Sequence, residues 1–260
     1  FAQNRAGLAT FAEAGGIPVK ATVPVPARKG WNVVDPHAGW AGYNGPSLLE
    51  ILEQLPATPA DVAQPFAFPV QWVEKFSSSS DTSQGRRVFW GRVATGSVQP
   101  GQDVTVLPSG QSAKVAQVLD HARTPGTVEA SHSAGIVLDR EVDVSRGDWL
   151  LAPGALQASR TLQATVAWLD DEPLVAGRAY WALHGHRWVK AKVQRIVHRQ
   201  NINTLAEEEA TELPANAIGH VELALQEPVA TLPFAQARAL GSMILVDTAS
   251  HKTSGAVLVR

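Results

Sequence analysis

His184 and His186 stand two residues apart in a run that reads as a strand, so both imidazoles face one way, as a pair of metal ligands would. His198 is available as a third ligand. No carboxylate is spaced to complete the set, so the expectation is a solvated strand face and no metal ligand. Glu207-Glu208-Glu209 offers a second possible cation cluster, and a solvated loop or helix face is the default for such a run. Asp170, Asp171 and Glu172 ahead of Pro173 read in the same way as a turn.

Self-contained active sites are missing. No Gly-Lys dipeptide occurs anywhere, which removes the loop that cradles phosphates. The patterns H-E-x-x-H, G-x-S-x-G and G-x-G-x-x-G are absent too. There is no cysteine, so disulfide scaffolds, Cys-ligated zinc, iron–sulfur clusters and thiol nucleophiles all drop out. No residue is expected to be catalytic.

Charge excludes further classes. The 260 residues carry 22 Lys plus Arg against 24 Asp plus Glu, a formal charge of −2. Such a chain has no excess of positive charge with which to neutralise nucleic-acid phosphates or hold an anionic membrane. No apolar run approaches the ~18 residues of a membrane helix. Hydrophobic residues make up 45%, a normal globular share, and a length of 260 residues fits one to three compact units. The only methionine is Met243 and the chain starts at Phe1, so the expectation is a part of something longer.

The elements that must carry any site change character along the chain. Leu8 and Phe11 suit the end of an amphipathic helix stopped by Gly15-Gly16, and Ile17 to Val25 reads as a short strand. Pro46 opens a second helix, with Leu48, Ile51, Leu52 and Leu55 on one stripe and Pro56 ending it. Residues 1–56 therefore look like the tail of an α/β unit, followed by a proline-rich linker over 57–64. After it the period falls from 3.6 to 2. Phe66, Phe68, Val70 and Trp72 alternate; so do Val104 and Val106; Leu162, Ala164, Val166 and Trp168; Val189, Ala191 and Val193; and Val221, Leu223 and Leu225. Turn signals such as Pro100-Gly101 and Pro125-Gly126 separate these runs, which predicts closed β structure. Residues 154–159 divide it into two barrels, 65–153 and 160–260. Ser77-Ser78-Ser79-Ser80 with Asp81 reads as a loop tip, and most of the eight tryptophans are expected in barrel cores or in packing between domains.

Gly91-Arg92-Val93-Ala94-Thr95-Gly96-Ser97-Val98-Gln99-Pro100-Gly101 resembles the second domain of translational GTPases, whose hairpin turns its glycines would permit. The continuation is more specific. Val104-Thr105-Val106-Leu107-Pro108-Ser109-Gly110 and Glu141-Val142-Asp143-Val144-Ser145-Arg146-Gly147-Asp148 resemble the GTP-dependent large subunit of bacterial sulfate adenylyltransferase. Glu172-Pro173-Leu174, Gly177-Arg178-Ala179-Tyr180, Asn203-Thr204-Leu205, Ile218-Gly219 and Ile244-Leu245-Val246-Asp247 agree, as does Tyr43 with Gly45-Pro46-Ser47-Leu48-Leu49-Glu50. The resemblance runs in order through essentially the whole chain. Gln236-Ala237-Arg238 departs from the Glu-Asn-Arg usual there.

The resemblance implies an α/β remnant of a P-loop GTPase domain, then two consecutive antiparallel β-barrels of translation-factor type. It implies a cytoplasmic protein of sulfate assimilation that couples GTP hydrolysis to adenylyl transfer by a small catalytic partner subunit. GTP and Mg²⁺ would belong to the full-length subunit, with none bound by this chain alone, and neither nucleic acid nor membrane would be a partner. Val25-Pro26-Ala27-Arg28-Lys29-Gly30 takes the place of the last guanine-contacting loop, so Ala27 and Arg28 are the candidate cofactor-binding residues. Pro26 stands where a serine is usual and has no N–H to donate. The competing expectation is a pair of tRNA-binding barrels from an elongation-factor-type GTPase, against which the −2 charge and the lack of a basic run speak.

Overall fold

The computed structural model describes residues 1–56, 61–75 and 87–260. The serine run and Asp81 lie outside the described residues, as does the first half of the 57–64 linker. Contacts divide the chain into one unit of residues 1–59 with 203–206 and a second of 60–202 with 207–260. No helix among the described residues is long and apolar enough to cross a membrane.

In the first unit α1 (Ala2–Ala14) ends at Gly15, whose N–H donates to the Phe11 carbonyl at 3.0 Å. The strand expected over Ile17–Val25 does not form, and Ile17, Val19 and Val25 are exposed. A strand is stable only when its N–H and C=O groups find a ladder partner, and Pro18 and Pro24 have no N–H to offer. Helix α2 (Leu48–Gln54) starts two residues later than expected, because the cap is Ser47 and Pro46 lies outside. Ser47 Oγ accepts the Glu50 N–H at 3.2 Å and Glu50 Oε2 accepts the Ser47 N–H at 2.7 Å, a reciprocal box worth about 1 kcal/mol. Its leucine stripe is not buried: Leu48, Leu52 and Leu55 are exposed. Amphipathic spacing alone does not supply the second surface that burial requires.

The second unit is β throughout. Strands β1 (Ala67–Lys75), β2 (Arg87–Arg92), β4 (Asp103–Leu107), β5 (Ser112–Leu119), β7 (Ser133–Leu138) and β8 (Trp149–Leu151) close a barrel in the order β1-β2-β7-β5-β4-β8. The short pair β3 (Ser97–Val98) and β6 (Val128–Glu129) stands beside it. Phe68, Val70, Val104, Val106, Ile136, Leu138 and Leu150 fill its interior. Trp72 departs from the expected alternation and is 58% exposed. A register shift between Val70 and Trp72 explains it, since one extra residue sends every later side chain to the opposite face. Gly91 lies in β2 and makes no turn: a Cβ there would stand 2.4 Å from the Pro69 carbonyl oxygen.

Strands β9 (Ala158–Trp168), β11 (Ala179–His184), β12 (Arg187–Gln200), β15 (Ile218–Ala230), β16 (Ser242–Asp247) and β17 (Thr253–Val259) run in the order β11-β16-β17-β9-β15-β12. A further β11–β12 pairing joins the two ends into a ring. Strand β13 (Glu207–Glu208) adds to β12 outside the ring, and β10 (Leu174–Val175) pairs with β14 (Glu212–Leu213). The alternating residues Leu162, Ala164, Val166 and Trp168, Val189, Ala191 and Val193, and Val221, Leu223 and Leu225 all point into this core. The fold is two consecutive antiparallel β-barrels.

Candidate functional site

The turn that carries Ala27 and Arg28 closes on Pro26, whose carbonyl accepts the N–H groups of Lys29 (2.9 Å) and Gly30 (3.0 Å). Buried Asn32 fastens the loop from below: its Nδ2 donates to the Pro24 carbonyl at 3.1 Å, and its Oδ1 accepts the His37 N–H at 2.6 Å. Trp31 stacks on His37 with centroids 4.0 Å apart, and Lys29 Nζ lies 4.2 Å from the Trp31 ring centre. Ala27 and Arg28 stay exposed. A groove of about 500 Å³ in the same unit, lined by Lys20, Thr22, Tyr43 and Gln54 among others, includes neither of them.

The arrangement does not fit a nucleoside triphosphate. Such a ligand requires a run of inward N–H groups and a lysine on its phosphates. Here the turn's own carbonyl occupies two of its N–H groups, and Lys29 lies on an indole face.

A second constellation joins the two barrels. The first part of β1 (Ala67–Val70) and β8 are buried on both faces, with Leu150 inside the first barrel and Trp149 and Leu151 packed with Ala230, Ala237 and Leu240 of the second. Trp149 stacks on His184 with centroids 4.9 Å apart and planes at 19°. His184 Nε2 lies 3.1 Å from the Leu240 carbonyl oxygen, so this nitrogen carries the proton and donates. Burial pushes the imidazole down to about 4, partly offset by that carbonyl. The fit is tight at the β11–β12 turn, where a Cβ on Gly185 would meet Trp149 at 2.7 Å.

Charge crosses the same junction. Arg187 Nη1 donates to Asp148 Oδ1 at 2.9 Å, and Nη2 donates to Glu227 Oε2. Burial raises the Asp148 carboxyl above its ordinary range, against the opposing pull of the Ser145 N–H and Arg187. The Arg146-Gly147-Asp148 stretch that carried the family resemblance thus ends at the junction.

A third group lies on the second barrel. His198 on β12 stands opposite His220 on β15, with ring centroids 4.2 Å apart, and His198 Nε2 lies 3.3 Å from Glu207 Oε1. His220 Nδ1 lies 2.7 Å from the Arg260 guanidinium. Burial first, then Arg260 and His198, lower the His220 imidazole. Glu208 turns instead to Arg199 (2.6 Å) and Asn201 (2.7 Å). The structure therefore separates the three expected histidines. His184 is in the barrel junction, His186 lies in the turn after β11, and only His198 meets a carboxylate. His220 escaped the sequence reading because its partnership with His198 follows from strand register alone.

The family model for GTP-eEF1A C-terminal domain-like proteins matches residues 161–260. Sulfate adenylyltransferase subunit 1 of Laribacter hongkongensis is 35% identical over 263 residues, covering 100% of this chain and 53% of that relative. Over its whole length this chain is similar to sulfate adenylyltransferase subunit 1 proteins. The subunit of the same name from Citrobacter koseri is 36% identical over 264 residues, with 100% and 54% covered. A bifunctional enzyme CysN/CysC of Xylella fastidiosa is 38% identical over 235 residues, or 90% of this chain and 37% of that relative. The chain thus spans about half the length or less of these relatives. Among solved structures, Sup35 complexed with GDP superposes with a TM-score of 0.68 at 22% identity, covering 91% of this chain and 57% of that one. Sup35 complexed with GMPPNP gives 0.67 at 23%, with the same coverage. Both are similar to this chain in fold.

Proposed function

We propose that this chain supplies the barrel portion of the GTP-hydrolysing subunit of a sulfate adenylyltransferase, acting in sulfate activation in the cytoplasm. The observation that carries the reading is 35% identity, along 100% of the chain, to a protein named as subunit 1 of that enzyme. In this reading a small catalytic subunit moves the adenylyl group of ATP onto sulfate and releases pyrophosphate. GTP and Mg²⁺ act in the part of the subunit that this chain does not span, and no chemical step is assigned to residues here. Residues 65–153 and 160–260 serve as two barrel domains after a GTPase-domain remnant over 1–56. Ala27 and Arg28 border the guanine base at most, and nucleic acid and membrane play no part.

The barrels' task is mechanical. Trp149 on His184, and Arg187 between Asp148 and Glu227, tie one barrel to the other, so displacement of either carries its neighbour. A stiff pair of this kind can pass the nucleotide state of one end to a partner at the other. The test is pyrophosphate release from ATP and sulfate by the full-length subunit with its partner subunit. GTP should stimulate it several-fold, and Asp148→Ala should lower the stimulation while GTP hydrolysis persists. Sulfate-independent activity, or no effect of GTP, would overturn the reading.

A further inference from the structure

We propose that His198, Glu207 and His220 form a binding site for a divalent transition metal of the zinc type. Three strands deliver the ligands to one outer face of the second barrel. Strand β12 pairs with β15 so that His198 and His220 are direct cross-strand neighbours, and it pairs on its other side with β13, setting Gln200 opposite Glu207. Directly opposed residues of an antiparallel ladder point to the same face, and so do residues two apart on one strand. His198, Gln200, Glu207 and His220 therefore share a face. The register shift between Ile196 and His198 makes this possible: Ile196 pairs with inward-facing Val221, and the extra residue turns His198 outward to meet His220.

Distances and chemistry agree with a zinc-type ion. One ligand atom from each of the three residues lies within 4.8 Å of the others. A tetrahedral ion with bonds of about 2.0–2.2 Å sets neighbouring ligand atoms about 3.3 Å apart. The His198–Glu207 pair already stands at 3.3 Å, and small rotations bring in His220. Two imidazoles with one carboxylate suit zinc, cobalt or nickel, whereas magnesium and calcium prefer all-oxygen sites. The His198 side chain is 13% exposed and held by its surroundings, while Glu207 is 70% exposed and free to swing onto an ion. Three protein ligands leave a fourth position for water.

One group opposes the ion. The Arg260 guanidinium cannot accept a hydrogen bond, so its contact with His220 Nδ1 uses the imidazole lone pair and fixes the proton on Nε2. A metal on either nitrogen breaks that contact, directly or by moving the proton. Arg260 and the metal are therefore competitors. The arginine can leave without disturbing the sheet, because its backbone N–H is separately held by the Gln163 carbonyl at 3.0 Å and its side chain is exposed.

The test is calorimetric titration of the whole, untagged chain with Zn²⁺, repeated with Co²⁺ to read its visible absorption. The expected result is one ion per chain at micromolar affinity or tighter, undisturbed by millimolar Mg²⁺, with Co²⁺ giving the intense absorption of a four-coordinate site. His198→Gln, His220→Gln and Glu207→Gln should each weaken binding at least tenfold while thermal unfolding confirms that each variant folds. Arg260→Ala should tighten it several-fold. Binding no tighter than millimolar, or binding that the three substitutions leave unchanged because histidines such as His121 and His132 hold the ion, would overturn the site. Unchanged affinity in Arg260→Ala would overturn the competition.

Discussion

The Arg187 guanidinium reaches from the second barrel to the Asp148 carboxylate of the first at 2.9 Å, and both side chains are largely withdrawn from water. An ion pair in that position is worth less for its own attraction than for the cost of leaving one member alone.

Arg187→Met should therefore destabilise the chain by about 2–3 kcal/mol, because Asp148 is left buried without its cation. Adding Asp148→Asn should return part of that loss, so the double variant falls short of the sum. Arg195→Met is the contrast: Arg195 pairs with Glu222 at 2.7 Å but is 61% exposed, and a pair screened by water in this way contributes little. Urea unfolding followed by tryptophan fluorescence reads all three. Equal losses at Arg187 and Arg195 would remove the special status of the junction.

The same junction sets a pH dependence. His184 has an ordinary value of 6.5 and is pushed down to about 4 in the folded chain. Between those values the unfolded chain binds a proton that the folded chain refuses. Stability from this group is thus full above 6.5 and is lost as pH falls toward 4, by up to about 3 kcal/mol. Asp148 works in the other direction near the lower end, since its raised carboxyl takes up a proton more readily when folded. The Ser250 N–H, then Arg178 and the Ala249 N–H, hold Asp247 far below the carboxylate range, so this carboxylate adds its own loss in stronger acid. Urea midpoints at pH 7 and pH 4.5 should differ clearly in the natural chain, and the difference should shrink in His184→Phe, which keeps the stack on Trp149. An undiminished difference would assign the acid sensitivity elsewhere.

Much of the barrel architecture is legible in the chain. Leu162, Ala164, Val166 and Trp168 alternate without interruption, and every one of them is buried. Legibility fails where alternation is interrupted by a bulge, because a bulge leaves no mark in composition. Trp72 leaves the core for that reason, and His198 turns outward for the same one. The pairings His198–His220 and Arg187–Asp148 join residues from different strands or different barrels, and side-chain types along one stretch do not encode them. Leu48, Leu52 and Leu55 fail differently. Their spacing states which face is apolar and says nothing of whether a second surface covers it.

The last expectation concerns nucleotide. This chain by itself should bind GTP–Mg²⁺ no tighter than millimolar. Affinity for a triphosphate in P-loop proteins comes from backbone N–H groups, a lysine on the phosphates and a hydroxyl on Mg²⁺. The sequence has no Gly-Lys pair to begin such a loop, and at Ala27-Arg28 the Pro26 carbonyl already holds the N–H groups of Lys29 and Gly30. Charge-assisted hydrogen bonds contribute roughly 1.5–3 kcal/mol each, so lacking three of them costs several powers of ten in affinity. Contact of Arg28 with a base cannot restore that, since an exposed side chain in water gains little from one neutral partner. Isothermal titration with GTP–Mg²⁺ decides the matter, and Arg28→Ala shows whether any residual heat comes from the guanine-loop position. A micromolar site that survives Arg28→Ala would mean a nucleotide pocket built from other residues, and the assignment of nucleotide chemistry to the unspanned part of the family would fall with it.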